Sequence, residues 1–98
     1  MKVLLICAAG MSTSLLTTAM KKNAEPGDVV DALPVSELER AVSDYDVILL
    51  GPQIRYKLPD VEKVTKPLGK PAGVIDMRAY GTMDGKAAMA QARKLLGK

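Results

Sequence analysis

A single cysteine, Cys7, closes an apolar run and is followed by Ala8, Ala9, Gly10, Met11, Ser12, Thr13 and Ser14. The chain has no histidine, which removes imidazole nucleophiles, imidazole bases and His-rich metal sites and leaves Cys7 as the one strong nucleophile. Small residues let the backbone close on a ligand, Gly10 tolerates a left-handed conformation, and the three hydroxyls supply donors. If the stretch leads from a strand into a helix, unpaired N–H groups and the positive end of the helix dipole converge on one spot. That is an anion cradle with a thiol at its mouth, and such groups lower a thiol's pKa by favouring thiolate. A phosphoryl group on the sulfur suits this chemistry, with Ala8 to Ser14 as the phosphate-binding residues. A nucleotide does not, because no Gly-Lys-Ser/Thr closes a P-loop and no GxGxxG occurs. The competing reading makes Cys7 a small buried hydrophobe and the Ser/Thr run only a helix cap. Either feature alone favours that reading; together, at the end of a central strand, they argue for a site.

The elements that must hold this cradle can be read along the chain. Lys2 to Cys7, Asp28 to Leu33, Asp46 to Gly51 and Pro71 to Asp76 are strand-like; the first and third are continuously apolar, as central strands covered on both faces are, whereas Asp31 suits the second to an edge. Helical spacing runs from Ser14 to Ala24, with Leu15, Leu16, Ala19 and Met20 on one stripe, and from Ser36 to Ser43, with Leu38, Ala41 and Val42 inward. A third helix begins near Pro59 and keeps Val61, Val64 and Leu68 apolar. The last spans Asp84 to Leu96, with Ala87, Ala88, Ala92, Leu95 and Leu96 apolar and Gly97 behind it. Strict alternation of strand and helix predicts an α/β fold: a four-stranded parallel sheet in the order 2-1-3-4 with helices on both faces, a short flavodoxin-like three-layer sandwich. Ligands in such sheets bind beyond the carboxyl ends of the strands, at the switch point between strands 1 and 3. The loops there are CAAGMSTS and GPQIRY.

Length and charge narrow the function further. The 98 residues suit one domain spanning the whole chain, with a core that buries ~60 to 65% of the unfolded surface. The net charge of +3 has no dense basic block, and three Tyr without Phe or Trp supply little stacking, which argues against nucleic acid. The longest apolar run, Val3 to Ala9, is far short of the ~20 residues of a membrane span, and no cleavage site follows it. A lone cysteine makes no internal disulfide. A soluble, cytoplasmic monomer without cofactor or metal is therefore expected.

Several residues near the switch point are candidates for a supporting role. Gln53, in Gly51-Pro52-Gln53, has an amide to offer to a phosphate or a partner, against the plainer role of that tripeptide as a strand-ending turn. Arg55 is placed to attract phosphate or an acidic partner rim. Tyr56 and Tyr80 are placed to cover apolar surface or to meet partners. Asp76, at the end of strand 4, is a capping or a catalytic carboxylate. Met11, an apolar side chain in a polar loop, points to a protein-facing contact.

CAAGMSTS after strand 1, GPQ with Tyr56 three residues beyond, and the later VIDMRAYGTMDG resemble the lactose/cellobiose-type IIB components of the bacterial phosphoenolpyruvate-dependent sugar phosphotransferase system. The resemblance spans almost the entire chain, although Asn23 to Asp44 carries little of it. It implies a four-stranded parallel fold and a phosphocysteine intermediate at Cys7. The phosphoryl group would come from a phosphohistidine on a IIA partner and pass to a disaccharide held by a membrane IIC partner, which itself selects the sugar. Two rivals remain. A small cysteine phosphatase would place Arg six residues after its cysteine, where Thr13 stands, and would add an Asp general acid; no Arg or Lys lies between Val3 and Met20. A non-enzymatic anion-binding module of the same shape is the other.

Overall fold

The computed structural model describes residues 1–7 and 13–97, and of residues 7, 13 and 14 the backbone only. Its four strands are β1 (Lys2–Cys7), β2 (Val29–Pro34), β3 (Val47–Leu50) and β4 (Ala72–Val74). They form one parallel sheet in the order β2-β1-β3-β4. The register pairs Ile6 with Leu33 on one side and Leu50 on the other. Asp31 lies on an edge strand, as its charge predicts. β4 is shorter than expected because Ile75 and Asp76 leave the sheet for a cap described below.

Among the described residues five α-helices accompany the sheet: α1 (Thr13–Lys22), α2 (Leu38–Ala41), α3 (Leu58–Thr65), α4 (Met77–Gly81) and α5 (Gly85–Leu95). Alternation of side chains along the strands divides the core in two. On one face Val3, Leu5, Val47 and Leu49 pack against Leu16 and Met20 of α1, Ala79 and Tyr80 of α4, and Ala88, Met89 and Ala92 of α5. On the other, Leu4, Ile6, Ile48 and Leu50 meet Leu38, Val42, Ile54 and Val61. Val3 to Ile6 and Val47 to Leu50 are wholly buried, which accounts for their unbroken apolar runs.

Helix boundaries depart from the periodicity in ways that have local causes. The second helical segment is one α-turn, α2, between two 3₁₀ turns, and has no side-chain cap at its start. α3 starts at Leu58 because Pro52–Lys57 already forms a 3₁₀ turn with a kink at Ile54. Leu15 does not share the buried stripe of α1: it is 64% exposed, because the helix turns ~100° between neighbours and Leu16 takes the inward place. Leu68 is half exposed in a 3₁₀ turn beyond α3, and Ala87 lies on the solvent side of α5.

Gly85 sets the approach of α5 to α1. A Cβ there would fall 2.2 Å from the backbone carbon of Ala19 and 2.5 Å from the nitrogen of Met20, so the helices touch backbone to backbone.

Candidate active site

The carboxyl ends of β1 and β3 lie side by side, as the topology predicts. Beyond the last paired residues, the Gly51 amide donates to the Ile6 carbonyl at 3.0 Å, which brings Gly51 against the end of β1 at Cys7. α1, ten residues long, begins at Thr13, has no acidic residue in its first turn and carries Lys21 and Lys22 in its last. Its dipole is thus complemented by cations at the far end. Ala8, Ala9, Gly10, Met11 and Ser12 lie outside the described residues, as do the side chains of Cys7, Thr13 and Ser14. The cradle expected of them stays an expectation.

The neighbouring candidates are brought together. After β3 the chain turns at Gly51, with Pro52 opening the 3₁₀ turn, and Gln53 folds back so closely that a Cβ on Gly51 would meet its Oε1 at 2.7 Å. The Gln53 amide, expected to face a phosphate or a partner, donates through Nε2 to the Tyr80 hydroxyl at 2.9 Å. Tyr80 is buried in the core, its ring within 3.6 Å of where that Cβ would stand. One hydrogen bond thereby ties the loop after β3 to α4, the helix after β4.

Asp76 is a helix cap. Its carboxylate accepts from the Ala79 amide at 3.1 Å, satisfying one of the free donors at the start of α4. Gln91 of α5 braces the same corner, donating to the Val74 carbonyl at 2.6 Å and accepting from the Asp76 amide at 3.2 Å. The Val74–Asp76 bend is consequently held from both sides.

Pro52, Gln53, Arg55, Tyr56, Met77 and Tyr80 line most of a groove of about 600 Å³ along this edge. Tyr56 is 69% exposed with the Lys57 ammonium 5.8 Å from its ring centre, and Met77 is 62% exposed. With Leu15 in the first turn of α1, three large apolar side chains face solvent at one end of the sheet. Arg55 and Arg78 are exposed and make no ion pair among the described residues. Sequence reasoning missed Met77 and Gln91: a five-residue helix has too few turns for a periodic pattern, and Gln91 reads only as a polar position in α5. No group of three metal-ligating side chains occurs among the described residues, and no described helix is long and apolar enough to cross a membrane.

This arrangement matches known proteins along nearly its whole length. The family model for the lactose/cellobiose-specific IIB subunit of the phosphotransferase system (PTS) matches residues 2–91. The oligo-beta-mannoside-specific EIIB component of Bacillus subtilis (strain 168) is 39% identical over 99 residues, covering 97% of this chain and 95% of that protein. The solution structure of a cellobiose-specific IIB component from Borrelia burgdorferi superposes with a TM-score of 0.79 at 37% identity, over 97% of this chain and 90% of that one. A lactose-specific IIB domain from Streptococcus pneumoniae gives 0.85 at 20% identity, over 97% and 96%, and shares the fold.

Proposed function

Because the chain belongs to the lactose/cellobiose-specific IIB family of the phosphotransferase system, whose members are sugar phosphotransferases, we propose that residues 1–98 form one IIB-type domain in which Cys7 carries the phosphoryl group. The observation that carries this reading is positional. Cys7 ends a strand flanked on both sides by parallel neighbours, and the ten-residue α1 starts just beyond, so its N–H groups open on the same edge.

The Cys7 thiolate attacks phosphorus on a phosphohistidine of the IIA partner: an S–P bond forms as the P–N bond breaks, and the leaving pair stays on the imidazole nitrogen. Backbone amides of residues 8–14 and the hydroxyls of Ser12, Thr13 and Ser14 hold the anionic group with neutral donors. A carrier needs that moderation, since a fixed cation would retain what has to be passed on. In the second step a hydroxyl oxygen of a disaccharide held by the membrane IIC partner attacks phosphorus, and the S–P pair returns to sulfur. Residues 8–14 contain no titratable side chain, so the hydroxyl proton is taken by a base outside them. Water attack lacks the Arg of a phosphatase loop, because Thr13 stands in its place.

Both partners meet the chain at the exposed edge formed by Leu15, Tyr56 and Met77, with Met11 among its contacts and Arg55 at the rim. The interfaces are small and brief, as a shuttle requires. The domain works as a monomer on the cytoplasmic side and reaches the membrane only through IIC. The sugars in the relatives' names differ, in keeping with selection by IIC.

Intact mass after incubation with phosphoenolpyruvate, the general phosphotransferase proteins and a IIA protein tests the reading. One added phosphoryl group on the wild type and none on Cys7→Ser is the expected result. Hydrolysis of an aryl phosphate without an adduct would instead indicate a phosphatase.

A further inference from the structure

The Gln53–Tyr80 pair has a direction. Gln53 Nε2 donates and the Tyr80 oxygen accepts, so the tyrosine proton is turned away from Gln53. Among the described residues that proton has no acceptor, although Tyr80 is buried and held on several sides. The opening available to it is the groove that Tyr80 and Gln53 both line, and Gly51, against which both pack, abuts the end of β1 at Cys7. The pair is also built tightly. Gly51 leaves room for Gln53 to fold back, and Asp76 and Gln91 fix the helix that carries Tyr80.

We infer that Tyr80, oriented by Gln53, donates a hydrogen bond to an oxygen of the phosphoryl group while that group moves to and from Cys7. The inference rests on Cys7 being the phosphoryl acceptor. Tyr80 keeps its proton throughout; no bond to it forms or breaks. It adds one more neutral donor to those proposed for residues 8–14. Gln53 is a positioning residue, acting on the phosphoryl group only through the direction it imposes on the Tyr80 hydroxyl.

Rapid-quench measurement of phosphoryl transfer from phosphorylated IIA to the full chain separates the maximal rate from the IIA concentration needed for half of it. Tyr80→Phe keeps the ring and its packing, and is expected to lower the maximal rate ~10-fold or more, with the half-saturating concentration within about twofold of wild type. Gln53→Glu keeps the shape and a hydrogen bond, but its carboxylate accepts from Tyr80 and draws the proton back. It is expected to lose as much as Tyr80→Phe, and the double variant no more than either alone. A role in packing alone would leave Gln53→Glu intact. Repulsion by the new charge would make the double variant slower than Tyr80→Phe. Either result, a wild-type rate in Tyr80→Phe, or a change confined to half-saturation overturns the inference while a phosphorylated wild type upholds Cys7. A wild type that gains no phosphoryl group overturns both.

Discussion

The two ends of the parallel sheet handle charge in opposite ways. At the amino ends of the strands a set of charged side chains is tied to the frame. The Met1 ammonium bonds Asp28 at 3.1 Å, Arg93 closes on Asp28 at 3.5 Å, and the Lys2 amide donates to Asp46 at 2.8 Å. The Lys70 ammonium caps the carbonyls of Ser43 and Tyr45, and the Tyr45 hydroxyl donates to Asp31 at 2.7 Å. The bond from the Glu25 amide, with help from the Met1 ammonium and Arg93 and against burial, holds the Asp28 carboxyl below its ordinary pKa. At the carboxyl ends the fixed contacts are mostly neutral amides and hydroxyls, the Asp76 carboxylate is used as a cap, and Arg55 and Arg78 make no ion pair among the described residues. One end uses its charges to hold strands in place; the other leaves polar donors and apolar surface exposed.

Substitutions at the two ends are therefore expected to separate transfer from stability. Cys7→Ser abolishes phosphoryl transfer and leaves the thermal midpoint nearly unchanged; a midpoint lowered as much as by a core deletion would make Cys7 a packing residue. Gly85→Ala breaks the separation, because a Cβ pressed on the backbone of α1 shifts the helix that begins at Thr13, just beyond Cys7 in the chain. It is expected to lower stability by about 3 kcal/mol in denaturant melts and to slow transfer as well. Met11→Asp slows transfer ~10-fold, about 1.4 kcal/mol in barrier, with an unaltered denaturant midpoint; unchanged kinetics would remove Met11 from the docking surface.

At the other end, Tyr45→Phe is expected to lower stability by about 1 to 2 kcal/mol at neutral pH without affecting transfer. The bond to Asp31 raises the Tyr45 pKa from 10.0 to about 12. A folded value above the unfolded one means that this stabilisation is complete below pH 10 and is lost as pH rises towards 12. Absorbance titration of the three tyrosines shows a step near pH 12 that disappears in Tyr45→Phe. The smallest change is expected from Thr65, whose buried Oγ1 has no partner among the described residues. Thr65→Val keeps the shape, removes the orphaned hydroxyl and stabilises by about 1 kcal/mol.

Much of the frame is legible in the sequence because it rests on local patterns. Continuous apolar runs mark β1 and β3 as central, Asp31 marks an edge, and strand-helix alternation leads to the observed order. Features that depend on distant residues leave no such trace. Gln53 and Tyr80 are 27 positions apart, and nothing in either neighbourhood announces the bond. α4 owes its single turn to Asp76 and Gln91 rather than to periodicity. Gly85 reads as an ordinary residue after an N-cap, since only the packed structure shows the backbone it must clear. Leu15 and Leu16 are alike in type, and the sheet alone decides which one faces it. From Cys7 to Ser14 the residue types and their place after a central strand suggest the chemistry.

Since all four strands run the same way, the sheet has one carboxyl edge and no second copy of it. On the reading proposed, donor and acceptor must use that edge in turn, so no complex holds all three proteins in working contact. Such a chain behaves as a ping-pong relay. Unphosphorylated IIA in excess competes with the permease for the loaded carrier, and sugar uptake then passes through a maximum as the donor protein is raised.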